Sequence, residues 1–209
     1  MDWNAEHGIV LGLWALWCLL HSVLVDPAVT SRLEKRRGDL FAFYRPAYNL
    51  FSLLTVLPLA GWTLAIDSAP VLRWSGPLRL VQACLLAAAV FLFAAGAREY
   101  PLRDFLGIPG GPRKEKEGRR LATRGILGAI RHPWYAGGIL LLWAREAGVF
   151  GLAWNLLLSA YFVAGAFHEE HTLLELHGEA YRRYRGEVSM FFPWKWLRRR
   201  MKRNAGTGA

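Results

Sequence analysis

Residues 131–170 read RHPWYAGGILLLWAREAGVFGLAWNLLLSAYFVAGAFHEE, and this stretch decides the fold. From Pro133 to Phe167 its only charged residues are Arg145 and Glu146. One unbroken helix over that run would be ~50 Å long, well beyond the ~30 Å hydrocarbon core of a bilayer. The chain therefore has to turn back, and Arg145-Glu146 with Gly148 and Gly151 supplies the break. A helical hairpin results, with Arg131-His132 where its first arm begins and Glu169-Glu170 where its second arm ends. Ionisable groups at membrane depth are costly, and for that reason they point to function.

Working outward, three further apolar blocks lie at about 8–25, 47–66 and 78–97. Together with 147–167 and the shorter 133–144, they predict an all-α polytopic membrane protein with about five transmembrane helices and a cytoplasmic C-terminal amphipathic segment. We expect one domain, residues 1–209, made of a three-span part (1–97), a motif region (120–194) and a basic tail (195–209). The first apolar run is preceded by Asp2 and Glu6 and by no Lys or Arg, so it reads as a retained span and not as a secretion signal. Cys18 and Cys84 each stand alone in an apolar run and predict packing residues, with no disulfide framework.

The chain carries 26 Lys+Arg against 16 Asp+Glu, a net +10. These cations fall between apolar runs and not on one globular face, which argues against nucleic acid as the partner and for anionic lipids at the basic loops and tail. Arg32, Lys35, Arg36, Arg37 and Arg45 lie between the first two spans, nine Lys or Arg lie from Arg98 to Arg131, and nine more from Arg182 to Arg203. The other connections hold only Arg73, Arg79 and Arg145. Cationic loops stay cytoplasmic, so five spans put the N-terminus outside and the C-terminus inside, as in a bacterial inner membrane. Arg131, Glu169-Glu170 and Tyr181/Tyr184 then fall on one side and can converge.

Pro133, with no amide hydrogen and a preset φ, suits the first turn of a helix. The amides beyond it can receive an anionic group, with His132 and Tyr135 as directional donors and Arg131 as a positive charge. The alternative is an interfacial anchor, since Arg, His, Trp and Tyr are all common at headgroup depth. Gly137 and Gly138 allow close approach, either of a neighbouring helix or of a ligand ring. Glu169 and Glu170 project ~100° apart on a helix, so one of them can turn inward. That helix is expected to run on to Gly178. His168 and His171, one turn apart, could clasp a metal, but no second histidine pair completes such a site. His21, Tyr44, Arg45, Tyr48, Asn49 and Ser52 share one depth near the first two spans. Either they line the acceptor side of a pocket, with His21, Arg45 and Asn49 as the candidate catalytic group, or they hydrogen-bond between helices.

Arg131-His132-Pro133-x-Tyr135, Glu169-Glu170, and then Gly178, Tyr181, Tyr184 and Pro193 resemble the signature of the isoprenylcysteine carboxyl methyltransferase and phospholipid methyltransferase family. The resemblance covers residues 120–194, and the N-terminal pattern is similar to small bacterial members, including the methanethiol S-methyltransferase branch. It implies an integral-membrane enzyme using S-adenosylmethionine, bound by Arg131, His132, Tyr135, Gly137, Gly138, Glu169, Glu170, Tyr181 and Tyr184. The methyl acceptor would be a lipophilic or small molecule: a thiol, a carboxylate or a lipid amine. Prenylcysteine enzymes carry an Arg thirteen residues before the C-terminal motif's Gly; Gly165 stands there in this chain, which weakens the case for that acceptor. A membrane transport or assembly subunit and a metal-dependent membrane oxidoreductase are the alternatives from other classes.

Overall fold

The computed structural model describes residues 3–66, 69–99 and 121–206. The charged stretch from Arg113 to Arg120, which the sequence alone suggests is a solvated loop, lies outside them. Among the described residues the regular structure is all helical, with two isolated backbone bridges and no strand.

Local signals set the helix starts. Asn4 opens α1 (Ala5–Val25) with a capping box: its side chain accepts from the His7 amide and the His7 ring accepts from the Asn4 amide, both at 3.2 Å. Asp26 then caps α2 (Pro27–Arg37), accepting from the amides of Ala28 and Val29, with Pro27 in the first turn. The basic connection between the first two spans is thus a helix, continued through a 3-10 turn (Gly38–Phe43) into α3 (Tyr44–Ala65). There follow α4 (Leu78–Glu99), α5 (Pro133–Trp143), α6 (Val149–His177), α7 (Glu179–Glu187) and α8 (Trp194–Gly206).

Four segments are long and apolar enough to cross a membrane: Ala5–Val25, Pro27–Ala65, Leu78–Glu99 and Val149–His177. On α1, Ile9, Leu16, Leu19, Leu20 and Val23 are exposed while Trp14 and Cys18 are buried. A row of exposed aliphatic side chains on a helix of this length is a lipid-facing surface, and the protein is an integral membrane protein. The expected fifth span is the 11-residue α5. At ~16 Å it is about half the thickness of the hydrocarbon core, shorter than the four full-length segments.

The residues fall into two compact units. In the first, residues up to Arg73 together with Glu146–Leu157, α1 and α3 are joined by Trp14 Nε1 to Thr63 Oγ1 (2.8 Å), Trp17 Nε1 to Thr55 Oγ1 (2.9 Å) and Tyr44 Oη to the Leu24 carbonyl (2.6 Å). Leu72 and Ala147 exchange backbone hydrogen bonds at 2.9 and 3.1 Å. In the second, whose described residues run 74–99, 121–145 and 158–206, α4 and α5 lie antiparallel. Trp134 Nε1 donates to the Phe93 carbonyl at 3.2 Å near one end, and Gln82 Nε2 donates to the Ala144 carbonyl at 2.9 Å near the other. The buried Gly137 lets α5 approach α4: a β-carbon there would stand 3.3 Å from the Ala89 carbonyl and the Phe93 ring. On the opposite side, Trp143 Nε1 donates to Ser159 Oγ of α6 at 3.0 Å. The hairpin turns within residues 144–148, where the charged break was expected.

Candidate functional site

The second unit brings the motif residues together at the start of α5. Its backbone there pairs with the segment after α7: the Arg131 amide donates to the Ser189 carbonyl at 2.9 Å and the His132 amide to the Met190 carbonyl at 3.1 Å. Arg131 turns its guanidinium onto Glu170 of α6, with Nε and Nη2 2.7 and 2.6 Å from Oε1. Its Nη1 donates to the carbonyls of Arg185 and Val188. A planar fork of donors suits this double task, gripping a carboxylate with one edge and two carbonyls with the other. Arg131 therefore holds protein groups, where the sequence suggested a charge aimed at a ligand.

Glu170 is 3% exposed and collects two partners on the same oxygen, since His132 Nε2 also lies 3.2 Å from Oε1. Its other oxygen faces Arg185 Nη1 at 4.0 Å, beyond hydrogen-bond distance, and so retains capacity to accept. Glu169 takes the outward position, with a side chain 43% exposed and Oε2 3.7 Å from His132 Nδ1. The ~100° offset between neighbours on a helix thus separates the two carboxylates into an inner and an outer one.

Tyr181 and Tyr184 of α7 pack with Val188 against Leu121, Leu173 and Leu174. Their hydroxyls differ. Tyr184 Oη donates to the Leu127 carbonyl at 2.7 Å. Tyr181 is 1% exposed, yet its hydroxyl has no partner at hydrogen-bond geometry. Burial pushes its pKa up and the Glu170 carboxylate adds to that, while the Arg131 guanidinium opposes both. The phenol therefore stays protonated and can donate, and an unmet donor in a dry place is costly.

Tyr135 is half-buried, its ring 5.5 Å from that of His132 and 6.0 Å from Phe162. Gly138, also buried, faces the Phe162 ring, which a β-carbon would meet at 2.9 Å, so Gly137 and Gly138 both serve contacts between helices. Gly165 faces the Tyr135 phenol, 3.7 Å from where its β-carbon would be.

The three acceptor-side candidates lie in the first unit. His21 is hydrogen-bonded through its ring to Tyr48 Oη at 2.8 Å and to Ser52 Oγ at 3.3 Å, and stacks on Trp17 with centroids 4.7 Å apart. Arg45 is exposed and Asn49 half-buried. Among the described residues no three metal-ligating side chains converge, and the exposed His171 pairs with Glu175 at 3.4 Å. Sequence reasoning missed Arg185 and Ser189 as parts of the site. They act through backbone groups or from the next turn of α7, and side-chain chemistry carries no signal for a carbonyl that will be gripped.

These features define a class: an integral membrane protein with a buried carboxylate, two basic partners and an unmet hydroxyl at the foot of a short glycine-bearing helix. The chain belongs to the NnrU protein family, matching it over residues 9–169. It is 35% identical to Methanethiol S-methyltransferase 1 of Bradyrhizobium diazoefficiens over 83 residues, 39% of this chain and 29% of the relative. Methanethiol S-methyltransferase of Pseudomonas deceptionensis is 35% identical over 79 residues, 37% of this chain and 28% of the relative. The match to Methanethiol S-methyltransferase 2 of B. diazoefficiens runs much further, 30% identity over 200 residues, 90% of this chain and 73% of the relative. The chain thus spans under a third of the length of the first two relatives and nearly three quarters of the third. No solved structure is significantly similar to it. The family resemblance read from the motifs is borne out.

Proposed function

We propose that this protein is an S-adenosylmethionine-dependent methyltransferase acting on a small thiol or another small lipophilic acceptor. The observation that carries this reading is the buried cluster at α5. Glu170 has one oxygen saturated and one with accepting capacity, and the buried Tyr181 hydroxyl, its proton unmet, lies within its electrostatic reach. That donor set fits S-adenosylmethionine: an acceptor for its ammonium or ribose hydroxyls, a buried donor, and His132 beside them. S-adenosylmethionine bound there would supply a methyl group on a sulfonium that is already a good leaving group.

The protein's part is mainly positioning and exclusion of water. Arg131 holds Glu170 in place and fixes the segment from Arg185 to Val188 beside it. Tyr135 and Phe162 offer an aromatic wall, and Glu170 supplies a negative charge favourable to a cation. Gly165, which faces Tyr135, stands where the prenylcysteine enzymes carry their Arg, and this supports a small neutral or thiol acceptor over a prenylcysteine carboxylate. The names of the relatives support a thiol. An acceptor thiol has to lose its proton, and we assign acceptor handling to His21, with Arg45 and Asn49, on residue chemistry alone.

For orientation we propose the N-terminus outside and the C-terminus in the cytoplasm of a bacterial inner membrane. The basic α2 and tail support this, as does the pairing of Leu72 with Ala147, which joins the two connections assigned to the outside. Reporter fusions after Ala69 and after Asn204 are expected on opposite sides.

Equilibrium binding of S-adenosylmethionine to the purified protein tests the cofactor. Radiolabelled methyl transfer, screened over small thiols, prenylated cysteines, phospholipids and fatty acids, tests the acceptor. Saturable binding with thiol methylation is expected. No binding by folded protein would return the Arg131 cluster to an interfacial anchor.

A further inference from the structure

α8 carries Lys195, Arg198, Arg199, Arg200, Lys202 and Arg203 and no acidic residue. At ~100° per residue, Trp194, Leu197 and Met201 fall on one stripe, bordered by Arg198 and Lys202. Trp194 and Met201 are 58% and 59% exposed, and Phe192 just before the helix is exposed as well. On another face the Arg200 guanidinium sits 4.9 Å over the Trp196 ring. An exposed apolar stripe edged with cations suits neither water nor a protein core. It matches the headgroup layer of a bilayer, where the stripe meets acyl chains and the cations meet phosphates.

The first turn of this helix is fastened to the cofactor cluster's own supports. The Lys195 amide donates to Ser189 Oγ at 3.0 Å, and its Nζ donates to the carbonyls of Arg185 and Gly186 at 3.0 and 2.9 Å. Arg131 grips that same Arg185 carbonyl. Ser189 and Met190 accept the amides of Arg131 and His132. The position of α8 is thereby tied to the geometry around Glu170.

We propose that α8 docks on an anionic lipid leaflet, and that docking steadies residues 185–190 and so strengthens cofactor binding. The bilayer is the occupant because an integral membrane protein always has one at hand, and a helix with six cations and no acid is complementary to anionic phospholipid. The docking stands on the helix itself; its effect on affinity rests on the function proposed above.

The test places the full chain in nanodiscs of phosphatidylcholine alone or with added phosphatidylglycerol, and measures amide hydrogen exchange over residues 194–206 together with S-adenosylmethionine affinity. Phosphatidylglycerol should slow exchange in α8 and tighten cofactor binding about fivefold. Arg198→Gln with Lys202→Gln, and separately Met201→Asp, should abolish both lipid effects and keep the neutral-disc affinity. Equal exchange in the two discs would overturn the docking, as would slow exchange in neutral discs that follows a co-purifying acidic protein. Docking with unchanged affinity would overturn the coupling. If no cofactor binds in either disc, the proposed function fails, while the exchange data still decide the docking.

Discussion

The α1–α3 interface and the cluster at the foot of α5 both place polar side chains in an apolar setting, and they do so differently. Between α1 and α3 the pairs are neutral and spread along the helices: Trp14 with Thr63, Trp17 with Thr55, Tyr44 with the Leu24 carbonyl. Such pairs hold neighbouring helices in register, each typically contributing ~0.6 kcal/mol in a membrane. At α5, by contrast, Arg131 and His132 converge on one carboxylate oxygen, and the Tyr181 hydroxyl has no acceptor for its proton at hydrogen-bond geometry. Polar groups that pair one to one are cement; the proposed function takes groups that converge and leave capacity unmet to be organised for a ligand.

The largest effect should come from Glu170→Gln. It leaves the buried Arg131 without its counter-charge, and breaking a buried pair costs about 3–5 kcal/mol. Thermal melting should fall steeply and S-adenosylmethionine binding should vanish. Melting close to wild type would mean that the pair contributes nothing net. Arg131→Gln should resemble it in stability, and the Glu170→Gln/Arg131→Gln double variant should be no worse than either single one. A simple sum of the two losses would deny the coupling.

Tyr181→Phe comes next and separates binding from stability. Removing an unsatisfied buried hydroxyl should leave melting at neutral pH unchanged or slightly raised, while cofactor binding weakens by ~1 kcal/mol. The sign of the pH effect follows from the raised phenol pKa. Its stability contribution is complete below the unfolded value of about 10 and is lost as pH rises past it, because only the unfolded chain then releases the proton. The Phe variant should therefore lose less stability than wild type in alkaline melts. A weaker effect is expected on the cement side, where Thr55→Val should lower stability by ~0.6 kcal/mol and leave cofactor affinity unchanged.

Much of this was legible in the sequence. The apolar blocks at 8–25, 47–66 and 78–97 became α1, α3 and α4 with ends displaced by at most three residues, because length and hydropathy are what a bilayer selects. The turn at 144–148 followed from charge and glycine in a run too long for one helix. α2 was not foreseen, since basic residues drew attention to side-chain charge and away from the Asp26-Pro27 start signal. At the site, Arg131, His132, Glu170 and Tyr181 were named in advance. What sequence could not supply was the division among these residues and Tyr184: Arg131 on Glu170 and two carbonyls, Tyr184 on Leu127, Tyr181 with its own O–H unmet. Those assignments depend on contacts across 39 to 57 positions of chain, for which no local pattern exists.

The smallest change in cofactor affinity, and the sharpest test of the comparison, belongs to His21, Arg45 and Asn49. His21 lies within the cement by its bonds to Tyr48 and Ser52, yet those same bonds would orient an imidazole for proton transfer. His21→Phe keeps a ring to stack on Trp17 and removes the proton acceptor. Tyr48→Phe removes their shared hydrogen bond and keeps the imidazole. If His21 handles the acceptor, His21→Phe should lower turnover ~100-fold with cofactor affinity unchanged, whereas Tyr48→Phe should lower it far less. Arg45→Ala and Asn49→Ala should likewise move turnover or acceptor preference and not cofactor binding. If His21 is cement alone, His21→Phe and Tyr48→Phe should cost similar stability and both should turn over normally. Acceptor handling would then have to be sought among the side chains of the second unit.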